Sequence, residues 1–386
     1  MRTAVLGAVL ILLGAVAIAT DVLPVADAVE LFQRVWPILL FVVAMTVVTE
    51  LAAEAGVFDL LAGWAASRAG GRAWVLWMLV LALAVLSTVF LSLDTTAVLL
   101  TPIVVVVARQ AGLAVLPFAM TTIWIANTGS LLLPVSNLTN LLAVHGLAGM
   151  GPGEFAALMA VPSAIAVVVP ALVAALVFRK SLRVSFDPAP PRQAEDRRLL
   201  VVAVVVLAVL VPFLVSGMPV WIPACAAAVV LLIAFALRRR SVLGFGLLPW
   251  QLVLLASGLF LVVEAAHSLG SGAIAQGVAG SGHGLLDLLR LSGSAALSAN
   301  LIDNLPAYLA LEPVAQDPLR TGALLVGVNA GALVTPWASL ATLLWHRRLS
   351  SMSVEISWLR YAALGAIAAP LTVLAATVGL WLAYRS

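Results

Sequence analysis

"NTGSLLLPVSNLTNLL" runs from Asn127 to Leu142, and 202 residues later "NAGALVTPWASLATLL" runs from Asn329 to Leu344. Seven of the sixteen positions are identical in register: Asn, Gly, Leu, Pro and three further leucines. Both stretches lie inside long apolar runs, where Asn, Gly and Pro are the least expected residues. Pro134 and Pro336 each remove a backbone donor and disturb the preceding turn. Gly129 and Gly331 are expected to permit the backbone angles of an unwound segment. Two helices are therefore expected to break in the same way, and for one purpose.

The rest of the chain says where those breaks lie. Of 386 residues, 63% are hydrophobic and 10% charged, against roughly 25% charged in soluble proteins. Apolar runs of about 20 residues recur, the length that crosses a hydrocarbon layer. The expected fold class is an all-α polytopic membrane protein. Continuous spans are expected at 4–20, 36–53, 154–178, 199–216, 219–237, 250–266 and 357–382. Met1 to Thr20 resembles a signal peptide, with Arg2 followed by an apolar stretch, and is read as a retained span. The net charge of +3 resides in short loops and gives no sign of a nucleic-acid partner. The single cysteine, Cys225, excludes an internal disulfide and any metal site built from several thiolates.

Each duplicated stretch interrupts one crossing, 117–147 and 319–349. Two further regions, 73–110 and 284–316, read as helical hairpins, re-entrant or fully spanning, with polar tips "SLDTT" (Ser92 to Thr96) and "NLIDN" (Asn300 to Asn304). Either form starts and ends on one side, so the number of crossings is odd, nine or more. A cytoplasmic N-terminus and an external C-terminus put 16 of the 20 basic residues inside, as the positive-inside rule requires. The polar, Pro-rich stretch 179–198 reads as a cytoplasmic linker between two halves, 1–178 and 199–386. Trp36 and Trp250 are each expected to open a span, with Glu50 and Glu264 fourteen residues on and Gly56 and Gly270 twenty residues on. One extra span between the copies makes them inverted-topology repeats, each with a hairpin and a broken helix. That arrangement is the signature of a secondary transporter.

Unwound backbone is tolerated at membrane depth only in a protein-lined cavity. Each break exposes half-helix ends, surrounded by Asn127, Thr128, Ser130, Ser136, Asn137, Thr139 and Asn140 in the first half. Asn329, Thr335, Ser339 and Thr342 stand around the second. Asp94 and Asp303 lie deep in apolar sequence, where an ionised carboxylate costs at least about 2.5 kcal/mol; they are candidate proton or cation carriers. Glu50 and Glu264 are further coupling candidates, with plain helix-end carboxylates as the alternative. His145, His267, His283 and His346 fall near span ends without metal-ligand spacing, so no metal is expected. No GxxxxGK[ST] phosphate loop occurs, so the chain is read as neither an ATPase nor any other enzyme, and no cofactor is expected.

The blocks at 90–113, 127–143, 300–312 and 327–349 resemble the arsenite efflux permease (ArsB-type) family of the ion transporter superfamily. That superfamily also holds dicarboxylate/sodium symporters and sodium/proton antiporters. The resemblance implies two hairpins and two broken helices meeting at the substrate. It assigns the first tip to Ser92, Asp94, Thr95 and Thr96, and the first break to Asn127, Ser136 and Asn137. The second tip falls on Asn300, Asp303 and Asn304, and the second break on Asn329, Thr335 and Ser339. The symporters carry Ser-Asn-Thr tips and a Pro-Pro-Asn after each break, where this chain reads "SLDTT", "PVSNL" and "PWASL".

No Lys or Arg is expected inside a membrane core, which disfavours a dianion. Arsenite at neutral pH is chiefly an uncharged trihydroxy acid that amides and hydroxyls can satisfy. The leading expectation is arsenite or antimonite efflux in exchange for protons. The alternatives are a sodium/proton antiporter and a sodium-coupled dicarboxylate or anion symporter. The expected partners are a small inorganic oxyacid or ion, protons or Na⁺, and the bilayer of the plasma (cytoplasmic) membrane. The resemblance adds a separate cytoplasmic ATPase as a partner, and a homodimer stays open.

Overall fold

The computed structural model describes residues 2–147, 149–187 and 195–385. In chain order the helices are α1 (Arg2–Ala19), α2 (Val25–Glu54), α3 (Val57–Arg68), α4 (Ala73–Phe90), α5 (Leu93–Gln110), α6 (Val115–Thr128), α7 (Leu138–Gly146) and α8 (Pro152–Val177). Then come α9 (Arg197–Leu214), α10 (Trp221–Arg238), α11 (Trp250–Ser268), α12 (Ser271–Ala279), α13 (Leu285–Ile302) and α14 (Asn304–Leu311). The last are α15 (Pro318–Leu325), α16 (Leu340–Ser351) and α17 (Trp358–Arg385). Nine helical segments among the described residues are long and apolar enough to cross a membrane. The chain is an all-α polytopic membrane protein.

One expected boundary is corrected. The second span begins at Val25 rather than 36, so α2 runs 30 residues, about 45 Å. Trp36 therefore lies inside a helix instead of opening one, whereas Trp250 does open α11. Asp27, Glu30, Gln33 and Arg34 make the first turns of α2 too polar for a hydropathy reading to include. Arg34 thus belongs to a spanning helix and not to a loop. The short helices α3 and α12 were also not expected. Each follows a glycine in the left-handed conformation, Gly56 (φ 90, ψ 18) and Gly270 (φ 90, ψ 19).

α1 packs along α11, and α10 along α2. The first of these seams is cut to backbone contact by glycines. A Cβ on Gly7 would stand 2.7 Å from the Leu255 nitrogen, and one on Gly258 would stand 2.6 Å from Leu10 Cβ. Small residues let helices approach this closely where lipid supplies no hydrophobic drive.

Several loops meet at one arginine-rich end. Phe186 N donates to Gly71 O at 2.8 Å, Ala73 N to Val184 O at 3.1 Å and Arg239 Nη1 to Glu54 O at 3.2 Å. Arg238 pairs with Asp196 at 2.7 Å and Arg109 reaches Ser353 O at 3.3 Å. Part of the 179–198 stretch, 188–194 with Arg192, lies outside the described residues, as does the side chain of Arg2.

α4 and α5 form the first hairpin, α13 and α14 the second. The chain turns at Ser92 (φ 153, ψ 166) and Asp303 (φ 94, ψ 153), a region costing a non-glycine residue about 1–3 kcal/mol. Such strain persists only where its surroundings over-determine it. The breaks follow α6 and α15. Here the expected role of the glycines is corrected: Gly129 (φ −77, ψ −7) and Gly331 (φ −81, ψ −18) keep right-handed helical angles. The chain unwinds instead through extended Leu133, Asn137 and Ser339. Gly331 is needed for space, because a Cβ there would overlap Ala296 and the Gly327 carbonyl.

Candidate functional site

The two breaks touch each other through side-chain amides. Asn137 Nδ2 donates to Asn329 Oδ1 at 2.8 Å, and Thr139 Oγ1 donates to the same oxygen at 3.2 Å. Asn329 Nδ2 donates to Thr139 Oγ1 at 3.1 Å and Asn140 Oδ1 at 3.3 Å. Asn304, from the second tip, reaches Asn329 Oδ1 at 3.5 Å. Asn137, Asn140, Asn304, Asn329 and Thr139 are all buried. Buried amides satisfied by one another form a rigid junction. Asn329 can stand there because its helix passes through a wide π turn, Val326–Ala330, a distortion frequent at functional sites.

Each break is stitched by one asparagine. Asn140 Nδ2 donates to the freed carbonyls of Ser130 (2.7 Å) and Leu133 (3.0 Å). At the second break Asn300 Nδ2 donates to Gly331 O at 2.8 Å, while its Oδ1 accepts from Val334 N (3.1 Å) and Thr335 N (3.0 Å). Each break also leans on its own hairpin. Ser136 Oγ donates to Val89 O at 2.8 Å and Thr335 Oγ1 to Asn300 O at 2.7 Å, three residues before Ser92 and Asp303 respectively. Ser92 Oγ meets Thr95 Oγ1 at 2.9 Å. Thr96 Oγ1 donates to Ser87 Oγ at 2.9 Å and accepts from Thr88 Oγ1 at 2.9 Å.

These bonds divide the residues expected at the site. Ser92, Thr95, Thr96, Ser136, Asn300 and Thr335 spend their polar atoms on the hairpins and breaks. Asn137, Asn304 and Asn329 spend theirs on the central junction. Four groups remain open: the Ser339 and Thr128 hydroxyls and Asn127 Oδ1, all buried without a partner, and Asp94. The Asp94 carboxylate is half-buried and accepts no hydrogen bond from the described residues.

The two tip acids are not equivalent. Asp303 is the N-cap of α14 and accepts from Leu305 N at 3.1 Å. The N–H groups of Asn304 and of Leu340, the first residue of α16, also lie near it. Two helix N-termini therefore face one carboxylate. Asp94 sits two residues past its own turn, near enough for the two charges to interact. Ser339, the N-cap of α16, adjoins that Leu340 N–H. Asp94, Asp303 and Ser339 thus lie close together beside the closed amide junction.

The family model described as a citrate transporter, CitMHS, matches residues 2–345. The chain belongs to this family. The arsenical pump membrane protein of Escherichia coli (strain K12) is 32% identical over 397 residues, covering 95% of this chain and 89% of the relative. The protein of that name from Yersinia enterocolitica is 29% identical, covering 92% and 88%. The crystal structure of the Alcanivorax borkumensis YdaH transporter, described as having an unusual topology, shares the fold: TM-score 0.59 at 15% identity, covering 99% of this chain and 97% of that one.

In this member of the citrate transporter family, Glu50 and Glu264 stand away from the tips. Glu50 is near Arg348 and Glu54, one turn from the arginine-rich end. Glu264 lies in the last turns of α11. Sequence reasoning missed a second cluster at the opposite end, where Arg34 of α2 pairs with Glu312, which also accepts from Tyr308 OH at 3.3 Å. Arg34 and Glu312 are separated by 278 positions, and no local pattern signals their meeting. A cavity of about 260 Å³ between α3, α4 and α9 is apolar, lined by Phe58, Leu83, Leu86 and Leu207 among others, and has no acid in its lining.

Proposed function

We propose that this chain is a secondary transporter that exports arsenite or antimonite in exchange for inward-moving protons. The observation that carries the reading is the contrast between the tip acids. Asp303 has N–H donors to hold a charge, whereas Asp94 has none. Asp94 is therefore the group free to take and release a proton, and Asp303 its fixed neighbour. The Ser339 hydroxyl and Asn127 Oδ1 are the open groups suited to the hydroxyls of an uncharged oxyacid. The amide junction holds the two half-sites together.

Citrate, which the family description names, would bring several negative charges to this pair of acids. No Lys or Arg hydrogen-bonds to the tips or breaks among the described residues. That favours the cargo named for the arsenical pump relatives. The similar hairpins, breaks and left-handed glycines support a reading of 1–178 and 199–386 as inverted repeats. The arginine-rich end is taken as cytoplasmic, with the N-terminus inside and the C-terminus outside.

Everted vesicles containing only this chain, given an imposed proton gradient, test the reading by arsenite accumulation. We expect gradient-driven accumulation without ATP, abolished in Asp94→Asn. Undiminished transport by Asp94→Asn would remove its coupling role. Na⁺-triggered proton release without arsenite would assign cation exchange instead.

A further inference from the structure

Two buried or half-buried arginines at the end opposite the arginine-rich one are held in different ways. Arg320 is 3% exposed and fully engaged: its guanidinium donates to the carbonyls of Val314 (2.7 Å), Gly282 (2.6 Å) and Gly280 (2.5 Å). That is a static clamp within one group of neighbouring elements. Arg34 is different. Its side chain is 27% exposed and contacts one partner, Glu312, itself 20% exposed. Its Nε is buried with no partner, and so is Nε2 of His267, which lies near Glu312. His145 stands near Arg34, and Gly146 leaves the room the pair occupies: a Cβ there would be 3.3 Å from Glu312 Oε1.

The elements that meet here matter more than the bond. Arg34 is on α2 and His267 on α11. His145 and Gly146 end α7, which starts at the amide junction. Tyr308 and Glu312 end the arm that starts with Asp303 and Asn304. α2 packs on α7 and α11 on α14. A site closed between breaks and tips reaches either side of the membrane only if its elements shift against their neighbours. The contacts of α2 with α7 and of α11 with α14 lie on that boundary. At the far end of α2, Glu50 is within charge reach of Arg348 on α16, the half-helix after the second break. Yet none of the ion contacts among the described residues joins those two. One helix therefore carries a closed pair at one end and an open one at the other.

We propose that Arg34–Glu312 is a latch that holds the second hairpin against α2 in this conformation, and that Glu50–Arg348 is its counterpart, closed when the first is open. The proposal rests on the reading of the chain as an alternating-access carrier, but not on the identity of the cargo.

The test needs no cargo. In a Cys225→Ala background, Glu30→Cys on α2 and Gln316→Cys beside the second hairpin carry spin labels; both positions are exposed. Distances are read by pulsed electron paramagnetic resonance in nanodiscs. We expect two populations separated by at least about 5 Å, one helical turn. Arg34→Gln and Glu312→Gln should each shift weight to the longer distance, and the swap Arg34→Glu with Glu312→Arg should restore it. Glu50→Gln should move weight the other way, which a merely structural anchor would not do. A single distance unmoved by these changes, or the same direction for both pairs, overturns the latch. If wild-type vesicles move no arsenite while the distances behave as expected, the cargo assignment fails and the latch stands.

Discussion

Asn137 and Asn329, 192 positions apart, share a 2.8 Å hydrogen bond that joins the first helix break to the second. The bond is buried, and Asn329 also serves Thr139 and Asn140. Removing either partner leaves buried amide atoms unpaired, a loss of about 1–3 kcal/mol. Asn137→Ala and Asn329→Ala should each lower the thermal unfolding midpoint in detergent. The double variant should lose less than the sum, with a coupling of roughly 0.5–3 kcal/mol. Strict additivity would mean that the breaks are held together elsewhere.

The acids at the tips should separate in stability as well as in transport. Asp303→Ala removes a cap and should cost about 0.5–2 kcal/mol. Asp303→Gly should cost less than Asp303→Ala, because φ is 94 at that turn. Asp94→Ala removes no hydrogen bond and should unfold at the wild-type temperature. Equal destabilisation by Asp94→Ala and Asp303→Ala would contradict the assigned difference.

Gly365 on α17 lies against the second break, where a Cβ would overlap the Leu333 carbonyl. The obstacle is backbone and cannot swing aside. Gly365→Ala should cost about 1–3 kcal/mol or more and lower the yield of folded protein. Gly153→Ala, whose Cβ meets nothing, should match wild type in the same fluorescence-detected size-exclusion profile.

At the arginine-rich end, half-buried Asp196 takes the Arg238 guanidinium at 2.7 Å and caps α9 through Arg198 N (2.9 Å) and Leu199 N (3.2 Å). The Arg238 hydrogen bond, aided by the capping N–H groups, holds this carboxyl below its usual range. Its contribution is therefore complete above the ordinary Asp value of about 3.9 and fades as pH falls through the lower folded value. Asp196→Asn keeps a capping side chain but loses the charge. Its unfolding midpoint should sit slightly below wild type at pH 7, with the gap closing in acid. A gap that widened in acid would have the wrong sign.

Much of this arrangement was legible because hydrocarbon makes polar residues conspicuous. "SLDTT", "NLIDN" and the two Asn-Gly-Pro stretches stand out from apolar sequence, and the turns and breaks fall within them. The assignment of roles was less legible. Asn300 looked like a ligand, yet the backbone of the second break uses both ends of its amide. Asp94 and Asp303 looked like counterparts, yet one lies past its turn and the other on it. Gly129 and Gly331 suggested unusual backbone angles, but extended Asn137 and Ser339 do the unwinding. Such distinctions depend on which partner each atom finds across the chain, as with Arg34 and Glu312, and local patterning carries no record of that.

The seam between α1 and α11 has a consequence for how the molecule is made. Gly7 and Gly258 let α1 and α11 meet at backbone distance, so the main neighbour of α1 is missing until the ribosome has translated as far as α11. The helix synthesised earliest among the described elements must wait in lipid, or beside the insertion machinery, while both breaks and the first hairpin are threaded. A chain arrested before Trp250 would hold an orphaned α1, recognisable to membrane quality control by its bare glycine face.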